Sequence, residues 1–136
     1  MASIRKEIPI DARPEDVWEA IRDVGAIHER LAPGFVTDTR MDGEDARIVT
    51  FANGFVVREL IVDVDDAARR LAYAAVGGQS THHNASFQVF AADGGGTRLV
   101  WIADMLPHEV AGPVGEMMAQ GARVMQRALV GEKARV

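Results

Sequence analysis

Between residues 35 and 105 the chain is cut into strand-length segments by short turns rich in glycine and aspartate. One long amphipathic segment follows them. This order constrains the fold more than any other feature. Short turns make successive strands antiparallel, because a parallel crossover needs a dozen or more residues. A sheet built this way has one face to bury, and the terminal helical segment is there to bury it.

The strands read as 35–41, 46–51, 55–64, 70–76, 82–91 and 97–105, with turns at Asp42-Gly43-Glu44, Ala52-Asn53-Gly54, Asp65-Asp66-Ala67-Ala68, Gly77-Gly78 and Asp93-Gly94-Gly95-Gly96. In 82–91, Asn84, Ser86 and Gln88 share one face, and His83, Ala85, Phe87 and Val89 the other. An earlier strand, 3–10, puts Ile4, Lys6, Ile8 and Ile10 on one side. Pro14, followed by Glu15 and Asp16, suits a helix start, so 14–22 reads as an amphipathic helix and 26–31 as a short second one ending before Pro33. In 107–130 Val110, Val114, Met117, Met118, Gly121, Met125 and Leu129 recur at helical spacing. Gly112, Gly115 and Gly121 each cost about 1 kcal/mol there relative to alanine, and a start nearer Val114 is the alternative.

The expectation is an α+β fold: a curved antiparallel sheet of about seven strands around a long C-terminal helix, with two short helices after the first strand. Such a sheet leaves an apolar gap beneath the helix, and an apolar gap is a pocket. A three-residue loop closed by a left-handed Gly54 pairs Phe51 with Phe55, Val49 with Val57 and Arg47 with Glu59. A two-residue turn would shift every pair by one.

At 136 residues the chain suits a single domain over 1–136. With 20 acidic against 15 basic residues, for a charge of -5, a general nucleic-acid binder is not expected. The absence of cysteine removes disulfides, thiolate metal sites and a cysteine nucleophile. No apolar run has the length of a membrane span, and the first residues lack a signal-type apolar core. These points predict a soluble, cytoplasmic protein.

Ile8-Pro9-Ile10-Asp11-Ala12-Arg13-Pro14-Glu15-Asp16-Val17-Trp18 resembles the first strand and helix start of the SRPBCC superfamily. That group holds START domains, birch-pollen-allergen-like proteins and polyketide cyclase/dehydrase-like proteins. The resemblance continues through Leu31-Ala32-Pro33-Gly34, Gly43 to Arg47, Val57 to Asp66, Arg70-Leu71-Ala72-Tyr73 and Gly96 to Trp101, nearly the whole chain in order. It implies the helix-grip fold and an internal cavity for a small hydrophobic or amphipathic, polyketide-like molecule, with no cofactor. A narrower likeness, to the branch with plant lachrymatory-factor-synthase-like proteins, implies that Arg47 and Glu59 handle substrate charge and protons. The loop between their strands is shorter here, and the single tyrosine, Tyr73, leaves that branch's pocket tyrosines unplaced.

Read from the residues, Arg47 and Glu59 form either a cross-strand salt bridge on a solvated face or a cavity pair that binds an oxyanion and moves a proton. Burial raises a carboxyl pKa and a neighbouring arginine lowers it. Asp63 falls on the Glu59 face by alternation, as a second cavity carboxylate or a strand end near water. Core and pocket share one face, so Phe51, Val57, Ile61, Tyr73, His83, Phe87, Trp101, Val114, Met117, Met118, Gly121 and Met125 are the candidate lining. His83 reads as a pocket hydrogen-bonding group or a satisfied structural residue. Adjacent His82 and His83 point to opposite faces and cannot share a metal, and His28 and His108 lack ligand-spaced partners. No hydrolase triad or P-loop is present.

Three functions stay open: a carrier without chemistry, a cyclase or dehydratase using Arg47 and Glu59, and a protein-interaction module with a filled core. An exposed apolar strand face would invite a homodimer.

Overall fold

The computed structural model describes residues 2–78 and 80–130. Strand β1 (Ala2–Ile10) precedes helix α1 (Pro14–Arg22) and one π-helical turn (Ile27–Leu31). Strands β2 (Val36–Met41), β3 (Ala46–Phe51), β4 (Val56–Asp65), β5 (Arg70–Val76), β6 (His82–Ala91) and β7 (Thr97–Leu106) follow, then a 3-10 turn (His108–Val110) and helix α2 (Ala111–Ala128). The strands form one seven-stranded antiparallel sheet in the order β1-β7-β6-β5-β4-β3-β2. With α2 against it and the short helices after β1, this is the helix-grip architecture.

Local chemistry explains most boundaries. Pro14 opens α1, Glu15 and Asp16 occupy its first turn, and Arg22 lies in its last. The segment after it makes a single wide turn instead of a second α-helix: the Ala32 N–H donates to the Ile27 carbonyl at 2.8 Å. Pro33 disfavours helical backbone at Ala32 and leaves no room for more turns. The start of α2 falls between the two sequence expectations. Pro107 is extended, the chain passes through the 3-10 turn, and α2 begins at Ala111. Pro113 then sits in the first turn, where its missing N–H is tolerated.

The β3–β4 hairpin has the three-residue register. Arg47 opposes Glu59, Val49 opposes Val57, and the Phe51 N–H donates to the Phe55 carbonyl at 2.8 Å. Gly54, at φ +92°, supplies the left-handed residue that closes it. Farther along β4 the ladder slips between Ile61 and Asp63. This bulge at Val62 turns Asp63 to the outer face opposite Ala72, correcting its expected place beside Glu59.

Part of the core lies where α1 covers β6 and β7. Val17, Ile21, Leu71 and Leu99 are buried there with Ile8, Phe87 and Val89. Asp66, in the β4–β5 turn, ties α1 to the sheet by accepting from Trp18 Nε1 at 2.9 Å and Arg22 Nε at 2.8 Å. The Arg22 and Trp18 hydrogen bonds hold the Asp66 carboxyl below its ordinary range.

Two helix glycines differ in the room around them. A Cβ on Gly115 would meet Ile4 Cδ1 at 3.5 Å, an ordinary contact, whereas one on Gly121 would stand 3.0 Å from the Phe35 ring and 3.4 Å from Trp101. Gly115→Ala is expected to stabilise the fold by about 1 kcal/mol through helix propensity. Gly121→Ala should gain clearly less, because Phe35 must move. Urea midpoints measure both, and equal gains would show that α2 is not held close by Gly121.

Candidate functional site

The inward residues of β3 to β7 alternate down to one end of the sheet. There the β3–β4 hairpin, the β5–β6 loop and the start of α2 surround a pocket of about 250 Å³, partly open to solvent. Its walls are Phe35, Phe51, Phe55, Val56 and Val57 on one side and Val110, Pro113, Val114, Met117 and Met118 from the helix side. Tyr73, Ala75, Trp101 and Ala103 line the sheet side, with Glu59, Ser80, His83 and the backbone around Gly77 and Gly78 completing it.

Eight of the residues expected on this face therefore border one space: Phe51, Val57, Tyr73, His83, Trp101, Val114, Met117 and Met118. Ile61, Phe87, Gly121 and Met125 do not line it, which corrects the expectation for each. Phe87 lies behind the wall, its ring 4.9 Å from Trp101 and 6.0 Å from Tyr73 in stacked geometry. Gly121 is filled over by Phe35 and Trp101. Met125 is buried in the core, and Ile61 packs against the core past Glu59. A shared face was the right signal, but distance along the strand decides whether a residue meets space or packing.

Phe35, Phe55, Val56, Gly77, Gly78, Ser80, Val110 and Pro113 were not anticipated as lining. Several lie in or beside loops, whose path has no periodicity to read. Phe55 carried one signal, its pairing with Phe51 across the hairpin. Ala75 and Ala103 owe their place to small size on the same face as Tyr73 and Trp101, which leaves volume unfilled.

The charged pair is buried and not on a solvated face, with Arg47 2% and Glu59 7% exposed. Arg47 Nε donates to Glu59 Oε1 at 2.8 Å and its Nη1 donates to the Val24 carbonyl at 3.2 Å. The guanidinium carbon stands 5.3 Å from the centre of the Tyr73 ring. Glu59 borders the pocket and Arg47 does not. The expectation that both groups project into it is corrected: the guanidinium lies behind the carboxylate, bonded to Glu59 and to the Val24 carbonyl. Glu59 Oε2 accepts no hydrogen bond among the described residues.

The Tyr73 hydroxyl accepts from Trp101 Nε1 at 3.0 Å, leaving its own hydrogen to be donated. Burial first, and the Glu59 charge second, push this phenol above the ordinary tyrosine range. It is a neutral donor at any ordinary pH.

Burial, with a smaller contribution from His82, holds the His83 imidazole below the usual histidine range. The unfolded chain then takes up a proton more readily than the folded one as the pH falls. The associated stability is present above about pH 6.5 and is lost as the pH drops through the depressed folded value. His83→Gln should flatten the fall in urea midpoint between about pH 7 and 5. Equal slopes in variant and parent would assign the dependence to other groups.

Among the described residues no cluster of three or more histidine, aspartate or glutamate side chains is placed to hold a metal ion. No helix among them is long and apolar enough to cross a membrane.

A family model described as polyketide cyclase / dehydrase and lipid transport matches residues 1–136. No curated protein matches the chain. Among solved structures, an uncharacterized protein from Bacillus thuringiensis superposes with a TM-score of 0.84 at 17% identity, covering 96% of this chain and 100% of that one. A START superfamily protein from Mycobacterium smegmatis gives 0.74 at 11% identity, covering 98% and 97%. The di-domain ARO/CYC BexL of the BE-7585A biosynthetic pathway gives 0.81 at 12% identity, over 95% of this chain and 46% of that one. At these identities the structural likeness speaks for the fold alone.

Proposed function

The chain belongs to the polyketide cyclase / dehydrase and lipid transport family, and we propose that it binds one small hydrophobic or amphipathic, polyketide-like molecule between the sheet and α2. The pocket carries this reading: aromatic and aliphatic walls with a few convergent polar groups are the usual make-up of a small-molecule site. An apolar cavity of about 150 Å³ admits benzene, so a volume of about 250 Å³ suits a body of about two fused rings.

Prodan, an uncharged naphthalene fluorophore, tests it. Its emission should shift to the blue with saturable binding, and Ala75→Phe, which fills the pocket from the sheet side, should abolish the shift without unfolding the protein. Binding undiminished in Ala75→Phe would place the ligand elsewhere. Native mass spectrometry of the purified protein would identify a co-purifying ligand directly.

A second reading, a cyclase or dehydratase, is favoured by one observation. Glu59 Oε2 has no partner among the described residues, and the Tyr73 hydroxyl has a hydrogen to give, so an acceptor and a donor border the same space. Glu59 would take a proton from carbon or oxygen while Tyr73 bonds the developing oxyanion, with Arg47 holding the carboxylate in place. Turnover of a polyketide-like substrate that disappears in Glu59→Gln while binding persists would select this reading. Binding without turnover selects the carrier. The interaction module with a filled core is disfavoured by the unfilled volume.

A further inference from the structure

Resting on the reading of the pocket as a ligand site, we infer that it selects uncharged or cationic ligands bearing a hydrogen-bond donor and rejects carboxylates, because the buried ion pair turns its negative end towards the ligand. The order of the two groups carries the argument. Glu59 borders the pocket, while Arg47 lies behind it with Nε on Glu59 Oε1 and Nη1 on the Val24 carbonyl. A ligand in the pocket therefore meets the Glu59 carboxylate first and the guanidinium only behind it. The pair is neutral overall, but at contact distance in a weakly screened site the nearer charge dominates.

Nothing else in the lining reverses that sign. Among the described residues no lysine or arginine side chain borders the pocket, and burial holds the His83 imidazole below the usual histidine range. Residues at the start of α2 also border it, where backbone N–H groups could attract an anion. The preceding 3-10 turn occupies them in part: the Val110 N–H donates to the Pro107 carbonyl and the Ala111 N–H to that of His108.

An anion that displaces water from beside the Glu59 carboxylate would meet like charge. A phenol, alcohol or amine would instead give Glu59 a proton to accept, and a nearby carbonyl on the same ligand could receive the Tyr73 hydrogen. The favoured class is a hydroxylated or amino-bearing aromatic of about two rings, in contrast to a fatty acid or an aryl carboxylate.

The test is displacement of prodan at neutral pH by naphthol and by naphthoate, which share one ring body and differ in charge. Naphthol should bind at least about tenfold tighter. An apolar wall alone also disfavours an anion, so the attribution lies with Glu59→Gln. This variant keeps an acceptor for Arg47 and removes the negative charge. It should narrow the ratio to about threefold or less, mainly through tighter naphthoate binding. Should it fail to fold, Arg47→Met/Glu59→Leu removes both charges and should narrow the ratio likewise. Naphthoate binding as tightly as naphthol, or a ratio unmoved by either variant, overturns the inference and leaves the ligand site standing if prodan binds. Failure of prodan and both competitors to bind removes the site and the inference together.

Discussion

Arg47→Met is expected to lower folding stability by about 3–5 kcal/mol, the range for removing one partner of a buried ion pair. The Glu59 side chain, 10% exposed, would lose its counter-ion, and the Val24 carbonyl would lose its donor. Access to the pocket lets Glu59 recover some hydration, which places the loss towards the lower end of that range. Glu59→Leu should cost at least as much, because the abandoned Arg47 is 2% exposed and keeps the Val24 carbonyl and the Tyr73 ring but no counter-ion. The double variant Arg47→Met/Glu59→Leu should return to within about 1 kcal/mol of the parent, since two well-packed apolar side chains can replace a buried pair at little cost. Urea unfolding of the four proteins forms a double-mutant cycle. Additive single losses would mean that the two groups are not coupled as their geometry requires.

Phe87→Ala should lose about 3–5 kcal/mol, as other buried phenylalanine truncations do. Phe87 is 2% exposed and stacks between Tyr73 and Trp101, so its removal opens a hole that neither large ring can collapse into without leaving the other. The variant should also weaken the near-ultraviolet circular dichroism of Trp101. A loss below about 1 kcal/mol would mean that the aromatic stack relaxes freely and does not set the pocket floor.

Much of the sheet was legible because turn chemistry and alternation agreed. β5 and β6 run over the residues read from the pattern, and the Arg47–Glu59 pairing followed from one glycine in a three-residue loop. The family was legible from residues dispersed along the chain, each weak alone. The bulge at Val62 was not: an inserted residue leaves no mark on composition, yet it sends Asp63 to the other face. Nor could strand register say which of two paired charges reaches the pocket. Arg47 and Glu59 share a face and a rung, and their order depends on a side-chain path fixed by a carbonyl of residue 24, in a loop distant in sequence. Phe87 and Ala103 lie on one face as well. One meets packing and the other space, because α1 covers only part of the sheet.

That uneven cover divides the sheet along the strand direction. At one end α1 sits on β6 and β7 and is latched by Asp66; at the other the hairpin tip and the Gly77–Gly78 bend border unfilled volume. Backbone amides near Leu71, Phe87 and Leu99 should exchange with solvent deuterium only on global unfolding, while those near Phe55 and Val76 exchange through small local openings. On that result the same strands would join a rigid half to a yielding half, so that a guest could enter and leave without the protein surrendering its overall structure.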